Sequence, residues 1–124
     1  MSEEQGSVNV QIFRVATPRS AIFRVKRWFY ANFYTPNKKA GREDVAEENK
    51  KVWEELARTL IERIGDLGVD AIRITLEYSS KVLSYEVGKG QEPIPIVRFK
   101  PIKAKIEMFR KIGEEEIPFE TNEE

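Results

Sequence analysis

Between Ile72 and Phe109 the hydrophobic period of the chain becomes two, and this change decides the fold class. Ile72, Ile74, Leu76 and Tyr78 alternate with Arg73, Thr75, Glu77 and Ser79, so one side of a strand is apolar and the other polar. The last such segment repeats the pattern, with Ile102, Ala104, Ile106 and Met108 set against Lys103, Lys105, Glu107 and Phe109. Val82 to Val87 is expected to form a further strand paired with the first, and Gly88 to Pro93 a loop. Ile94 to Phe99 reads as a short edge strand, because Pro95 and Pro101 bound it and proline cannot donate to a central ladder. A sheet with one apolar face needs a cover. The upstream half of the chain supplies helices for it, and the expected architecture is α+β: an antiparallel sheet of about four strands with two main helices packed on one face.

The chain before the sheet carries one strand and those two helices. Val8 to Val15 reads as a strand with Val8, Val10 and Ile12 on one side and Asn9, Gln11 and Phe13 on the other. Thr17-Pro18 then offers an N-cap followed by a proline at the first helical position. The helix that starts there is expected to reach Tyr34, since Pro36 disfavours helical geometry at Thr35, and Pro36 to Gly41 is expected as a basic loop. A second helix spans about Arg42 to Ile64. Val45, Val52, Leu56, Leu60 and Ile64 form its inward stripe, joined by Trp53, and acids fill its first turns ahead of Gly65 at its end.

Composition narrows the chemistry. At 124 residues the chain is sized for one domain, taken as residues 1–111, with residues 112–124 an acidic tail expected to be disordered. It has no Cys and no His, which removes disulfides, thiolate metal sites and the commonest general base. No cofactor and no metal is expected. There is no long apolar run and no basic-then-apolar leader at Met1 to Ser7, so the expected setting is cytoplasmic, without a membrane partner. A charged fraction of 34% with few Asn and Gln leans toward a thermophilic source. Gly88-Lys89-Gly90 has neither the spacing nor the setting of a phosphate-binding glycine motif. Glu47, Glu48, Glu54 and Glu55 lie on the polar face of a helix, and no Ser or Thr sits in a nucleophile motif. The chain is therefore expected to bind rather than catalyse.

The net charge of zero conceals a segregation. From Gln5 to Arg42 the chain holds eight bases (Arg14, Arg19, Arg24, Lys26, Arg27, Lys38, Lys39 and Arg42) and no acid. Glu43 to Asp70 holds nine acids against four bases, Lys81 to Lys111 eight bases against three acids, and Glu114 to Glu124 six acids with no base. Two basic segments that meet on one face would attract a polyanion.

The first helix points the same way. Ile22, Val25, Phe29 and Phe33 make its core stripe at 100° per residue. A second face carries Arg19, Phe23, Lys26, Arg27, Tyr30 and Tyr34, with Trp28 on a third side. One buried face leaves these rings without a cover. Rings interleaved with cations suit a single nucleic-acid strand, whose bases stack on them while the phosphates are neutralised; a subunit interface uses the same residue types. On the first reading Phe23, Tyr30, Tyr34 and Trp28 stack on bases. Arg14, Arg19, Lys26, Arg27, Lys38, Lys39 and Arg42 contact phosphates, and Lys100, Lys103 and Lys105 continue the basic path on the sheet. RNA in place of DNA, or a non-catalytic oligomeric scaffold whose aromatic helix is a subunit interface, are the alternatives.

The order of a basic-aromatic helix, an acidic helix, the strand Asp70-Ala71-Ile72-Arg73-Ile74-Thr75-Leu76-Glu77-Tyr78 and the last strand Lys103-Ala104-Lys105-Ile106-Glu107-Met108-Phe109-Arg110 resembles the archaeal ThermoDBP group over about Val8 to Lys111. The resemblance implies a single-stranded DNA-binding protein of a thermophile, with helices on an antiparallel sheet, a homo-oligomeric state, and a basic cleft along Arg14, Arg19, Phe23, Lys26, Arg27, Tyr30 and Tyr34. The founding members carry a C-terminal coiled coil, and no heptad repeat stands there in this chain. Glu114-Glu115-Glu116-Ile117-Pro118-Phe119 is similar to the acidic tip by which bacterial single-stranded DNA-binding proteins recruit protein partners, with Glu120 to Glu124 following it. The other reading of the tail is a solvated acidic segment that competes with nucleic acid for the cleft.

Overall fold

The alternating segments do form the sheet, and helices cover one of its faces. The structure, a computed structural model, describes residues 7–65, 67–87 and 92–120. Strand β1 (Ser7–Ile12) leads to helix α1 (Pro18–Phe29), a π-helical turn (Tyr30–Tyr34) and a short helix α2 (Thr35–Lys39). The long helix α3 (Glu43–Gly65) follows, then strands β2 (Ala71–Glu86) and β3 (Ile94–Phe109). The sheet is antiparallel in the order β1-β2-β3. Among the described residues no helix is long and apolar enough to cross a membrane.

Among the described residues the sheet has three strands rather than about four. Val82 to Val87 does not fold back on Ile72 to Ser79; Ala71 to Glu86 runs on as one strand, and the two segments expected at Ile94 to Phe99 and Ile102 to Phe109 are likewise one. Pro95 and Pro101 are tolerated because β3 is an edge strand with only one hydrogen-bonding neighbour. The pairing absorbs Pro101 in a register shift, from Glu77↔Lys103 to Tyr78↔Pro101, which leaves Ile102 as the extra residue. The loop expected at Gly88 to Pro93 falls between the paired strands, but residues 88–91 lie outside the described residues.

Helix α1 begins as expected, with Thr17 Oγ1 accepting from the Ser20 N–H at 3.3 Å and Pro18 in the first turn. The basic loop expected at Pro36 to Gly41 is instead helical to Lys39. The π turn makes this possible. It widens the helix by one residue, so that the Thr35 N–H bonds to Tyr30 O, and Pro36 enters at the start of a new helical segment, where its missing N–H is not needed. Gly41, at φ 83°, then ends α2. Its N–H donates to Lys38 O at 3.0 Å and the Arg42 N–H to Asn37 O at 2.9 Å, the paired bonds of a Schellman motif.

The core lies between the helices and the inner face of the sheet. Ala21, Val25, Phe29 and Phe33 from the first helical stretch, Trp53, Leu60 and Ile64 from α3, and Ile72, Ile74, Leu76 and Phe99 from the sheet are buried together with Phe13. Phe29 stacks on Trp53 with centroids 5.3 Å apart and meets Phe99 edge-on at the same separation. Ile22, Val52 and Leu56, expected in the core stripes, are only partly buried at its margin.

Among the described residues two polar side chains, Asn37 and Asn49, are buried in this apolar setting, each 1% exposed. Asn37 Nδ2 donates to Phe33 O and to Val97 O, both at 3.1 Å, and Asn49 Nδ2 donates to the same two carbonyls at 2.9 Å. In return Asn37 Oδ1 accepts from the Val97 N–H at 3.3 Å and Asn49 Oδ1 from the Phe99 N–H at 3.0 Å. The pair thus ties the π turn to the outer edge of β3. Backbone groups left over by a wide turn and by an edge strand would be costly to bury unpaired, and two asparagines satisfy both sets at once.

Candidate nucleic-acid interface

The expected site residues do not all meet in one place. Arg19, Phe23, Lys26 and Tyr30 of the first helical stretch face Trp53, Glu54, Ala57 and Ile61 of α3 across a groove of about 560 Å³. Ser20 and Ile22 complete its wall. The spacing of Arg19, Phe23, Lys26 and Tyr30 at three and four residues puts them on one side of the helix, while the buried Val25 and Phe29 hold the other side against the sheet. Phe23 is 53% exposed. The Arg27 guanidinium carbon stands 5.8 Å from its ring centroid, within the range of a cation–π contact. Tyr30 and Tyr34 are half-buried, with ring centroids 5.1 Å apart. Lys38 Nζ lies 5.6 Å from the Tyr34 ring centroid, and Lys39 is exposed beside it in sequence.

Tyr34 is tied down. Its hydroxyl donates to Glu47 Oε2 at 2.9 Å, and this bond to a carboxylate holds the phenol above its ordinary range, with partial desolvation adding to the effect. Glu54 places negative charge on the α3 side of the groove, and Arg19 and Lys26 place positive charge on the α1 side.

Trp28 is not an open stacking platform. Its ring meets Phe13, Phe33, Tyr78 and Phe99 edge-on, with centroids 5.0 to 6.2 Å apart. The third side of the helix is covered because Phe13, just after β1, turns inward beneath it. Trp28 also lines a second, open depression of about 670 Å³, shared with Gln11, Phe13, Arg24, Arg27, Ala31 and Asn32.

Arg42 is not free for a phosphate either. Its Nε and Nη2 grip the two carboxylate oxygens of Asp44 at 3.0 Å each, while Nη1 reaches Ser84 Oγ at 3.1 Å and Glu86 Oε2 at 3.5 Å. The Arg42 guanidinium holds the Asp44 carboxyl below its ordinary range. Four bonds to α3 and β2 make Arg42 a clamp at the start of α3.

The three lysines of β3 do not continue the path of the first helix. Lys100, Lys103 and Lys105 pair with Ser79, Glu77 and Thr75, which pair in turn with Val8, Val10 and Ile12. These rows alternate with the buried Ile74 and Leu76 and so occupy the sheet face turned away from the helices. The register shift at Ile102 is what brings Lys100 and Lys103, an odd number of residues apart, to the same face. Lys103 Nζ is 3.7 Å from Glu77 Oε1. Arg14 is exposed and follows the outward-facing Val8, Val10 and Ile12 in alternation, which separates it from the groove as well.

Sequence reasoning missed the α3 side of the groove. Trp53, Ala57 and Ile61 form its apolar wall; Ile61, exposed on the flank of an otherwise polar surface, was the available signal. Among the described residues no group of three or more Asp or Glu is placed to hold a metal ion. Compared with family models, curated proteins and solved structures, the chain matches none.

Proposed function

We propose that the protein binds single-stranded DNA without sequence preference, along the face of the first helical stretch that carries Arg19, Phe23, Lys26, Arg27, Tyr30 and Tyr34. The observation that carries this reading is the Phe23 ring, half exposed beneath the Arg27 guanidinium at the mouth of a groove rimmed by Arg19 and Lys26. An uncovered ring among cations offers a base its flat face and the flanking phosphates their counter-charge. A duplex hides its base faces, which favours a single strand. The resemblance in element order to the ThermoDBP group supports the same conclusion.

Titration of a fluorescent oligo(dT) at increasing salt tests it. The logarithm of affinity is expected to fall linearly with the logarithm of salt concentration, by about 0.7 per phosphate contact. With Arg19, Lys26, Arg27, Lys38 and Lys39 in contact the slope is about −3.5. An affinity indifferent to salt would exclude this mechanism, and a matched oligo(U) in competition separates DNA from RNA.

A second reading, self-association, has its own observation. Val8, Val10 and Ile12 are each about 60% exposed on β1, an edge strand with one row of backbone groups unpaired. Such an edge is a template for a second copy. Light scattering is expected to show a dimer that Val10→Lys converts to monomer; an unchanged mass for that variant would rule out this edge.

A further inference from the structure

We infer that a bound single strand does not stop at the groove: it crosses α1 over Arg27 and seats a further nucleotide in the depression between β1 and α1, with Arg24 and Arg27 on its phosphate and Gln11 and Asn32 at its base. This subsite presupposes the single-strand reading of the groove given above and extends the path to residues outside it.

The depression has the composition of a nucleotide site. Phe13, Trp28 and Ala31 supply apolar surface, and Gln11, Arg24, Arg27 and Asn32 supply polar groups around a volume of about 670 Å³. Among the described residues no acid lines it, in contrast to the groove with its Glu54. Its cations are unspent. Among the described residues Arg24 makes no ion pair or side-chain hydrogen bond, and Arg27 makes only its ring contact with Phe23, whereas Arg42 is held by Asp44 and Glu86. Arg24 and Arg27 stand three residues apart, neighbours on a helix surface with about 5–6 Å between Cβ atoms, so their two planar guanidinium forks can converge on one phosphate.

The amides are available as well. Gln11 is half-buried and makes no side-chain hydrogen bond among the described residues. Asn32 Nδ2 donates to Trp28 O at 2.7 Å, which leaves its Oδ1 as an acceptor. A glutamine amide carries both donors and an acceptor, so the edge of any base finds a partner there and the subsite stays tolerant of sequence.

Arg27 joins the two places. At about 100° per residue Arg19, Phe23, Lys26 and Tyr30 cluster within about 60° of the helix circumference, and Arg24, Trp28 and Ala31 cluster within about 60° on an arc centred about 140° away. Arg27 lies midway between them. Its guanidinium carbon is 5.8 Å from the Phe23 ring centroid while the same side chain lines the depression. On a helix about 10–12 Å across, the arc from one cluster to the other is roughly 13 Å, and Arg27 at its crest neutralises the strand where it passes over.

Titration of the isotope-labelled full chain with oligo(dT), followed by NMR, tests the crossing. The side-chain amides of Gln11 and Asn32 and the Arg24 Nε–H are expected to shift with the same midpoint as the backbone amides of Phe23 and Lys26, while Lys105 on the outer sheet face stays unmoved. Shifts at Phe23 and Lys26 without any at Gln11, Arg24 and Asn32 overturn the inference and leave single-strand binding in the groove intact. Shifts at Gln11 and Arg24 alone overturn the crossing and the groove reading together, and no shift anywhere does the same. In parallel, Arg24 adds one phosphate contact to those of Arg19, Lys26, Arg27, Lys38 and Lys39, so Arg24→Gln is expected to flatten the salt slope by about 0.7. Lys105→Gln is expected to leave the slope unchanged. An Arg24→Gln slope equal to that of the unaltered chain overturns the inference, as does an equal flattening by both variants, which would mean diffuse attraction to a basic surface rather than a seated phosphate.

Discussion

Replacing Asn49 by Asp is expected to lower the free energy of unfolding by about 3–5 kcal/mol, the scale of a buried charge left without a partner. Asn49 is 1% exposed, and its amide donates to Phe33 O and Val97 O at 2.9 Å while its oxygen accepts from the Phe99 N–H at 3.0 Å. A carboxylate of the same shape keeps the acceptor and loses both donors, so that it faces two carbonyl oxygens at bonding distance. Asn37 still serves those carbonyls, which prevents them from being orphaned but does nothing for the buried charge. Asn49→Ala removes the repulsion along with the bonds, leaves the Phe99 N–H unsatisfied, and is expected to cost less, about 2 kcal/mol. Urea unfolding followed by tryptophan fluorescence gives both numbers. Equal costs for the two variants would show that the amide donors do not matter, and with them the tie between the π turn and β3.

Replacing Phe23 by Ala is expected to weaken oligo(dT) binding by about 1–3 kcal/mol, roughly 5- to 150-fold, while moving stability by no more than about 0.5 kcal/mol. The two halves of this prediction follow from one fact: the ring is 53% exposed and makes its cation contact with Arg27 outside the core. Tyr30→Ala is a poorer probe, because Tyr30 also packs edge-on against the buried Phe29 at 5.2 Å. Trp28→Ala would chiefly disturb packing, since that ring meets Phe13, Phe33, Tyr78 and Phe99 edge-on. Unaltered affinity for the Phe23 variant would remove base stacking from the mechanism and leave at most an electrostatic contact. A large loss of stability would place the ring in the fold rather than the site.

The pattern of success and correction across the sequence has a physical logic. Strand alternation, the Thr17-Pro18 start, the acidic first turn of α3 and the composition of the first helix are local properties, and each led to the right element with nearly the right face. Pro36 misled because its effect depends on what can absorb it. In isolation it ends a helix; here a π turn, stabilised by Asn37 and Asn49 from outside the turn, lets the chain continue. Pro101 misled in the same way, since an edge position and a register shift removed the conflict it creates in a central strand. At the candidate site the grouping of Arg19, Phe23, Lys26 and Tyr30 was legible because four positions on one helix turn together. Arg42, Trp28 and Lys100, Lys103 and Lys105 were not, for whether a cation is paired, a ring covered or a strand face turned outward depends on other elements as well: Ser84 and Glu86 of β2 at Arg42, Phe13, Tyr78 and Phe99 at Trp28, and the pairing register with β2 at the lysines.

Sequence alone determined the two main helices and the alternating strand segments, that one face of the sheet must be covered, and that cations and rings lie together on the first helix. Period, capping and charge act within a few residues of chain. Tertiary structure alone decided that β2 and β3 run unbroken, that the lysines of β3 face away from the helices, and that α3 supplies the second wall of the groove. Those outcomes depend on pairing register and on contacts between distant elements, which form only when apolar faces are buried against one another and the backbone groups at their margins find partners.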